Sequence, residues 1–132
     1  MTPAPAKPAP KVIVIIDDNE QIRTLVRRAL QVQGYVVLDW ANPKSAIDHL
    51  EKIPEPVSLA LIDGVMPQML GPDVAQELSR VRPDVPIMLM SGHEAPMFTQ
   101  FFEKPNRHFI AKPFVISDLL ARIGSLLEAA NP

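Results

Sequence analysis

Val12-Ile13-Val14-Ile15-Ile16-Asp17-Asp18-Asn19 decides the fold of this chain. Five consecutive β-branched apolar residues read as a strand covered on both faces, because a strand with one wet face alternates polar and apolar side chains. The run stops at an acidic pair, and Asp18 or Asn19 can cap a helix. Ile22, Leu25, Val26, Ala29 and Leu30 then recur at helical spacing, with Arg23, Arg27 and Arg28 expected on the outer face. Gly34 ends that helix. A doubly covered strand followed by an amphipathic helix is the opening of a parallel βα architecture.

The unit repeats along the chain. Tyr35-Val36-Val37-Leu38 reads as a second strand, and Asn42-Pro43 opens a helix through Ala46, Ile47 and Leu50. Leu59 to Ile62 forms a buried strand ended by Asp63, and Gly71-Pro72 opens a helix through Val74, Ala75, Leu78 and Val81. Pro86 to Met90 is a strand ended by Ser91, and Ala95-Pro96 opens a short helix bearing Met97, Phe98, Phe101 and Phe102. Phe109-Ile110-Ala111 is a brief strand ended by Lys112. Ser117 is expected to cap the last helix, whose inner side carries Leu119, Leu120, Ile123, Leu126 and Leu127. Five such units predict an α/β protein with a parallel sheet and helices on both faces.

Composition removes several classes of function. With 47% hydrophobic and 21% charged residues, the 132-residue chain can bury a core as one domain. Thirteen basic against fifteen acidic residues give a formal charge of −2, which argues against a general nucleic-acid binder. The absence of cysteine excludes disulfides, thiolate metal sites and cysteine nucleophiles. No apolar run is long enough to span a membrane, and the opening Met-Thr-Pro-Ala-Pro-Ala-Lys-Pro-Ala-Pro lacks the apolar core of a secretory signal. Residues 1–10 are therefore expected to be an extended Pro/Ala-rich tail, with a domain over 11–130 and a cytoplasmic location.

Four of the five strands run directly into a residue capable of chemistry: Asp17-Asp18, Asp63, Ser91 and Lys112. In a parallel sheet all carboxyl ends share one edge, where open α/β sheets bind ligands. Three carboxylates there repel one another, so they call for cations. Lys112 supplies one charge, and a hard divalent ion such as Mg²⁺ supplies two. Metal, ammonium and hydroxyl together suit a phosphoryl group, and a remaining carboxylate can accept it as nucleophile.

These residues carry a family resemblance. Asp17-Asp18, Asp63 followed by Met66-Pro67, Gly71, Ser91-Gly92 and Lys112-Pro113-Phe114 stand in the order of a response-regulator receiver domain, over roughly residues 11–129. The resemblance implies a flavodoxin-like, doubly wound fold of three layers, with five parallel strands in the order 2-1-3-4-5 and five helices. It implies phosphorylation of Asp63, with Asp18 ligating Mg²⁺ directly, Asp17 holding metal-bound water and the Val65 carbonyl completing the protein's ligands. Ser91 would bond the phosphoryl group, Lys112 would pair with it, and the Lys112-Pro113 bond would be cis. The same resemblance implies a switch in which Ser91 moves and Phe109 turns inward, reshaping the face of the fourth helix, fifth strand and fifth helix. Val65 and His93 would flank the site and tune hydrolysis of the phosphoryl group.

The expected partners follow from the same resemblance: a histidine kinase or phosphotransfer protein as donor, and a downstream protein on the switching face. No direct contact with nucleic acid or membrane is expected, and the chain is expected to be a stand-alone receiver, a monomer or weak dimer, and a switch rather than an enzyme. The exposed-patch reading of Met97, Phe98, Phe101 and Phe102 makes them a docking surface, whereas the alternative buries them in the core. Two other functions compete: a small phosphohydrolase with Asp63 as nucleophile, similar to haloacid dehalogenases, and a docking module independent of phosphorylation. The first lacks a second acid two residues after the nucleophile, where Val65 stands.

Overall fold

Alternation along the strands divides the apolar side chains between two faces of one sheet. In the computed structural model, which describes residues 9–92 and 98–129, the strands are β1 (Val12–Ile16), β2 (Val36–Trp40), β3 (Leu59–Asp63), β4 (Ile87–Ser91) and β5 (Arg107–Ala111). They pair in parallel in the order β2-β1-β3-β4-β5. The helices are α1 (Glu20–Val32), α2 (Pro43–Lys52), α3 (Gly71–Val81) and α4 (Ile116–Ala129). Val14, Ile16, Ala60, Ile62, Ile87 and Leu89 face Ala46, Ile47 and Leu50 of α2 and Val74, Ala75 and Leu78 of α3. Ile13, Ile15, Leu59, Leu61, Met88 and Met90 face Val26 and Leu30 of α1 and Leu119, Ile123 and Leu127 of α4. The two-residue period thus builds a helix–sheet–helix sandwich, and each fully buried Leu or Ile contributes about 1.5–3 kcal/mol to it.

Local chemistry sets the helix starts and stops. The Asn19 side chain accepts the Ile22 N–H at 3.1 Å and that of Asn42 accepts the Ser45 N–H at 3.1 Å, with Pro43 opening α2 as expected. Gly34, at φ 95°, reverses the chain after α1 in a conformation that L side chains resist. Ser117 does not cap the last helix: the carbonyl of Val115 accepts from Asp118 and Leu119, so α4 starts earlier and Ser117 lies within its first turn. Leu25, expected on the inner face of α1, is 55% exposed.

Five helices are expected from the sequence; the described residues contain four α-helices and, between β4 and β5, a 3-10 turn at Phe101–Glu103. Phe102 and Glu103 donate three residues back, to Thr99 and Gln100. Lys104 leaves the turn extended at ψ 151°, as a residue before proline prefers, so Pro105 prevents a longer helix here. Phe98 and Phe101 are core residues at 2% and 5% exposure, while Phe102 is partly exposed. The docking patch reading therefore fails for Phe98 and Phe101; Met97 and the Ala95-Pro96 helix start lie outside the described residues. Among the described residues, no helix is long and apolar enough to cross a membrane.

Candidate functional site

Parallel pairing brings the ends of β1, β3, β4 and β5 to one edge, and the turns there aim the polar side chains. Asp17 follows β1 directly and donates its N–H to the Trp40 carbonyl, extending the β1–β2 ladder by one rung. Its carboxylate turns forward to accept the Asn19 N–H at 2.8 Å, so the residue that caps α1 also orients Asp17. Asp18 is exposed beside it. Asp63 ends β3, where the Gly64 N–H donates to Met90 of β4.

Glycines make the β3–α3 turn fit. Gly71 donates to the Gly64 carbonyl, and a bridge between Val65 and Leu70 closes the loop. A Cβ on Gly71 would stand 2.7 Å from the Asp63 carbonyl and 2.8 Å from Gly64 Cα, so only glycine lets α3 begin so close to the site. A Cβ on Gly64 would meet Ser91 Cβ at 2.6 Å and the Phe98 ring at 3.2 Å, so these two side chains flank the turn immediately after Asp63.

The side chains expected to converge do so. Lys112 reaches from the end of β5 to Asp17 Oδ2 and Asp63 Oδ1, each at 3.3 Å. Asp17, Asp18 and Asp63 each present a carboxylate oxygen within 4.8 Å of the others. Asp17, Asp63 and Ser91 are the buried polar residues among those described, so burial of polar groups is concentrated at this one edge. Three carboxylates and one ammonium leave a formal charge of −2, and hard oxygen donors of this kind fit a divalent cation. Burial pushes the Asp63 carboxyl up to about 6, and the neighbouring Asp17 charge adds to the rise. Lys112 and the Val65 N–H, which donates to Asp63 Oδ1 at 3.4 Å, pull the other way without cancelling it.

The remaining predicted residues are placed less centrally. Lys112–Pro113 is a cis peptide, as the resemblance implied. Phe109 is half-buried on β5, its ring centroid 6.3 Å from those of Phe98 and Phe102. His93 lies outside the described residues. Trp40 packs against His49 at 5.3 Å, while its carbonyl supports Asp17. Sequence reasoning missed Arg23 and Asp39. Arg23 was assigned to the outer face of α1, yet its side chain is only 15% exposed and bridges Asp39 to the Asp17 carbonyl. An acidic residue late in a strand, opposite a helix bearing arginines, was the available signal.

A doubly wound parallel sheet with an acidic cluster and a lysine at its carboxyl edge defines an α/β protein suited to a cation and an anionic ligand. Comparison with known proteins makes the class specific. The family model for the response regulator receiver domain matches residues 13–124, and the chain belongs to that family, whose function is phosphoacceptance in two-component signalling. It is 36% identical over 121 residues to the response regulator receiver protein CpdR of Brucella abortus, covering 91% of this chain and 98% of that protein. It is 29% identical over 117 residues to the sensor kinase CckA of the same organism, covering 88% of this chain but 12% of that protein. A CheY-like receiver domain protein from Methanospirillum hungatei has the same fold, with a TM-score of 0.82, 26% identity, and coverage of 92% of this chain and 96% of that one.

Proposed function

We propose that this receiver domain is phosphorylated on Asp63 and that the modification alters a protein-binding surface. The convergence of Lys112 on both Asp17 and Asp63, at the edge where the buried polar residues gather, carries this reading. Asp17, Asp18, Asp63 and the Val65 carbonyl are the groups that would hold Mg²⁺. When bound, Mg²⁺ neutralises charge on the phosphoryl oxygens.

The chain's own residues supply the rest. Asp63 uses a carboxylate oxygen as nucleophile, forming a new P–O bond while the bond from phosphorus to its donor breaks. At neutral pH a carboxyl with a pKa of about 6 is predominantly ionised and retains more basicity than an ordinary aspartate. Lys112 already lies between the two buried carboxylates and can follow the developing charge. Ser91 donates a hydrogen bond to the phosphoryl group. Val65, 38% exposed at the rim, offers no polar group of its side chain to orient water.

The donor is a histidine kinase or phosphotransfer protein, and the signal is read by a protein at the face made by the 3-10 turn, β5 and α4. Phe109 couples the two, its ring centroid standing 6.3 Å from that of Phe98. The domain is assigned to residues 11–130 and acts in the cytoplasm as a monomer or weak dimer; most of the expected tail, residues 1–8, lies outside the described residues. The protein is a switch whose chemistry is confined to its own phosphorylation and dephosphorylation. Intact-protein mass spectrometry after incubation with acetyl phosphate and Mg²⁺ tests this. One added phosphoryl group, lost with Asp63→Ala or with EDTA, is expected. Labelling that survives Asp63→Ala would overturn the assignment, and steady turnover of p-nitrophenyl phosphate would favour the phosphohydrolase.

A further inference from the structure

Arg23 and Asp39 form a cluster that the phosphorylation chemistry does not use. Asp39 lies on β2 in register with Ile15 of β1, and its Oδ2 accepts Arg23 Nε at 2.9 Å and Arg27 Nη1 at 3.1 Å. Arg23 also donates through Nη1 to the Asp17 carbonyl at 2.8 Å, a contact Arg27 does not share. The guanidinium therefore bridges a strand-borne carboxylate and the backbone of the acidic pair, with 15% of its side chain exposed.

That backbone atom has a particular position. The Asp17 carbonyl belongs to the peptide unit from which Asp18 departs, so holding the carbonyl fixes the plane that aims Asp18. The Asp17 N–H is already held by Trp40 and its carboxylate by Asn19 and Lys112. Asp18 is exposed, and its carboxylate makes no hydrogen bond among the described residues, so its direction depends on the backbone. We propose that Arg23 is a positioning residue for the cation site: anchored on Asp39, it holds the Asp17–Asp18 peptide so that Asp18 faces Asp17 and Asp63. The proposal rests on the reading of the acidic cluster as a divalent-cation site.

Arginine is needed because its rigid fork presents two donors in different directions, whereas lysine offers a compact charge that serves one partner at a time. A lysine at position 23 keeps the charge and releases either Asp39 or the carbonyl. The pair of variants Arg23→Lys and Arg27→Lys thus holds net charge constant and separates positioning from electrostatics. Mg²⁺ is titrated into the full chain, followed by amide resonances of the β1–α1 and β3–α3 turns, and the same spectra confirm that each variant is folded. Arg23→Lys is expected to weaken Mg²⁺ binding about tenfold, the lower end of what losing an outer-shell partner costs a metal site. Arg27→Lys should stay within about twofold of the unsubstituted protein, with its urea midpoint inside the scatter of surface substitutions. Equal weakening by both variants, or none by Arg23→Lys, overturns the positioning role while leaving the cation site intact. Failure of the unsubstituted protein to bind Mg²⁺ overturns the cation reading, and this proposal with it.

Discussion

Asp63→Asn should stabilise the metal-free protein by an amount that grows as pH rises from about 4 to about 6 and is constant above that. In the folded chain burial and the Asp17 charge raise the Asp63 carboxyl from 3.8 to about 6, against the pull of Lys112. Between those two values the unfolded chain has released this proton and the native chain has not. Stability associated with Asp63 is therefore full below about pH 4, falls as pH rises toward about 6, and then levels off. At about 1.4 kcal/mol per pH unit the undamped cost of ionising Asp63 in the fold is about 2–3 kcal/mol. Solvent at the open edge screens part of this, leaving about 1–2 kcal/mol. Asparagine buries no charge and escapes that loss.

The assay is urea unfolding of both proteins in EDTA at pH 4.5 and pH 7.5, followed by circular dichroism. The variant-minus-parent difference is the quantity to compare, because carboxylates such as Asp39 are common to both proteins and cancel. The gap should grow by about 1 kcal/mol or more from the lower to the higher pH. An equal gap at both values, or a parent more stable than the variant at pH 7.5, would refute the account of Asp63. Saturating Mg²⁺ at pH 7.5 should then narrow the gap, since a ligand that binds the native state stabilises it, and asparagine removes one anionic oxygen from the site.

Other substitutions test other parts of the structure. Lys112→Met should push the Asp63 carboxyl above about 6, because the cation 3.3 Å away lowers it; carbon-13 carboxyl titration by NMR reads this directly. Gly71→Ala should destabilise by about 1–3 kcal/mol in urea unfolding, the new methyl being forced against backbone at 2.7 and 2.8 Å. Arg82→Ala should cost about 2–3 kcal/mol and speed amide exchange at the end of α2, since this guanidinium serves the carbonyls of Leu50, Ile53 and Glu55. Phe98→Ala should cost about 3–5 kcal/mol, as expected of a buried aromatic; a loss below 1 kcal/mol would show that the segment is not packed on the core.

The strands that decided the fold were legible because they are buried on both faces. Val12 to Ile16 and Leu59 to Ile62 have no polar position to confuse the reading, and the chemistry begins where their apolar character ends. The edge strands were read short. β2 continues through Asp39 and Trp40 because Arg23 and Arg27 neutralise the aspartate, a compensation supplied by another element. β5 begins at Arg107 because its guanidinium stacks over Phe101 at 5.3 Å and donates to Ser79 at 2.7 Å, so a charged residue is accommodated in the strand. In both cases a charged side chain suggested a loop, and a tertiary partner made it a strand residue. The site residues were legible for the opposite reason: each sits at a strand end, where topology alone brings distant positions together.

The same topology explains why this edge is electrostatically incomplete. Asp17, Asp18 and Asp63 against Lys112 leave a formal −2, and the rise of the Asp63 carboxyl, caused first by burial, is increased by the Asp17 charge. A core residue with such a mismatch would be poorly suited to its place, but at a ligand edge the mismatch sets an order of events. A phosphoryl dianion approaching a −2 site is repelled, whereas a divalent cation is attracted and brings the cluster to formal neutrality. Cation binding should therefore precede phosphoryl transfer, leaving Lys112 free to shift from the carboxylates toward the incoming oxygens. On this reading the unfavourable packing of like charges stabilises nothing by itself; it makes the nucleophile's ionisation, the cation's affinity and the approach of the phosphoryl group depend on one another.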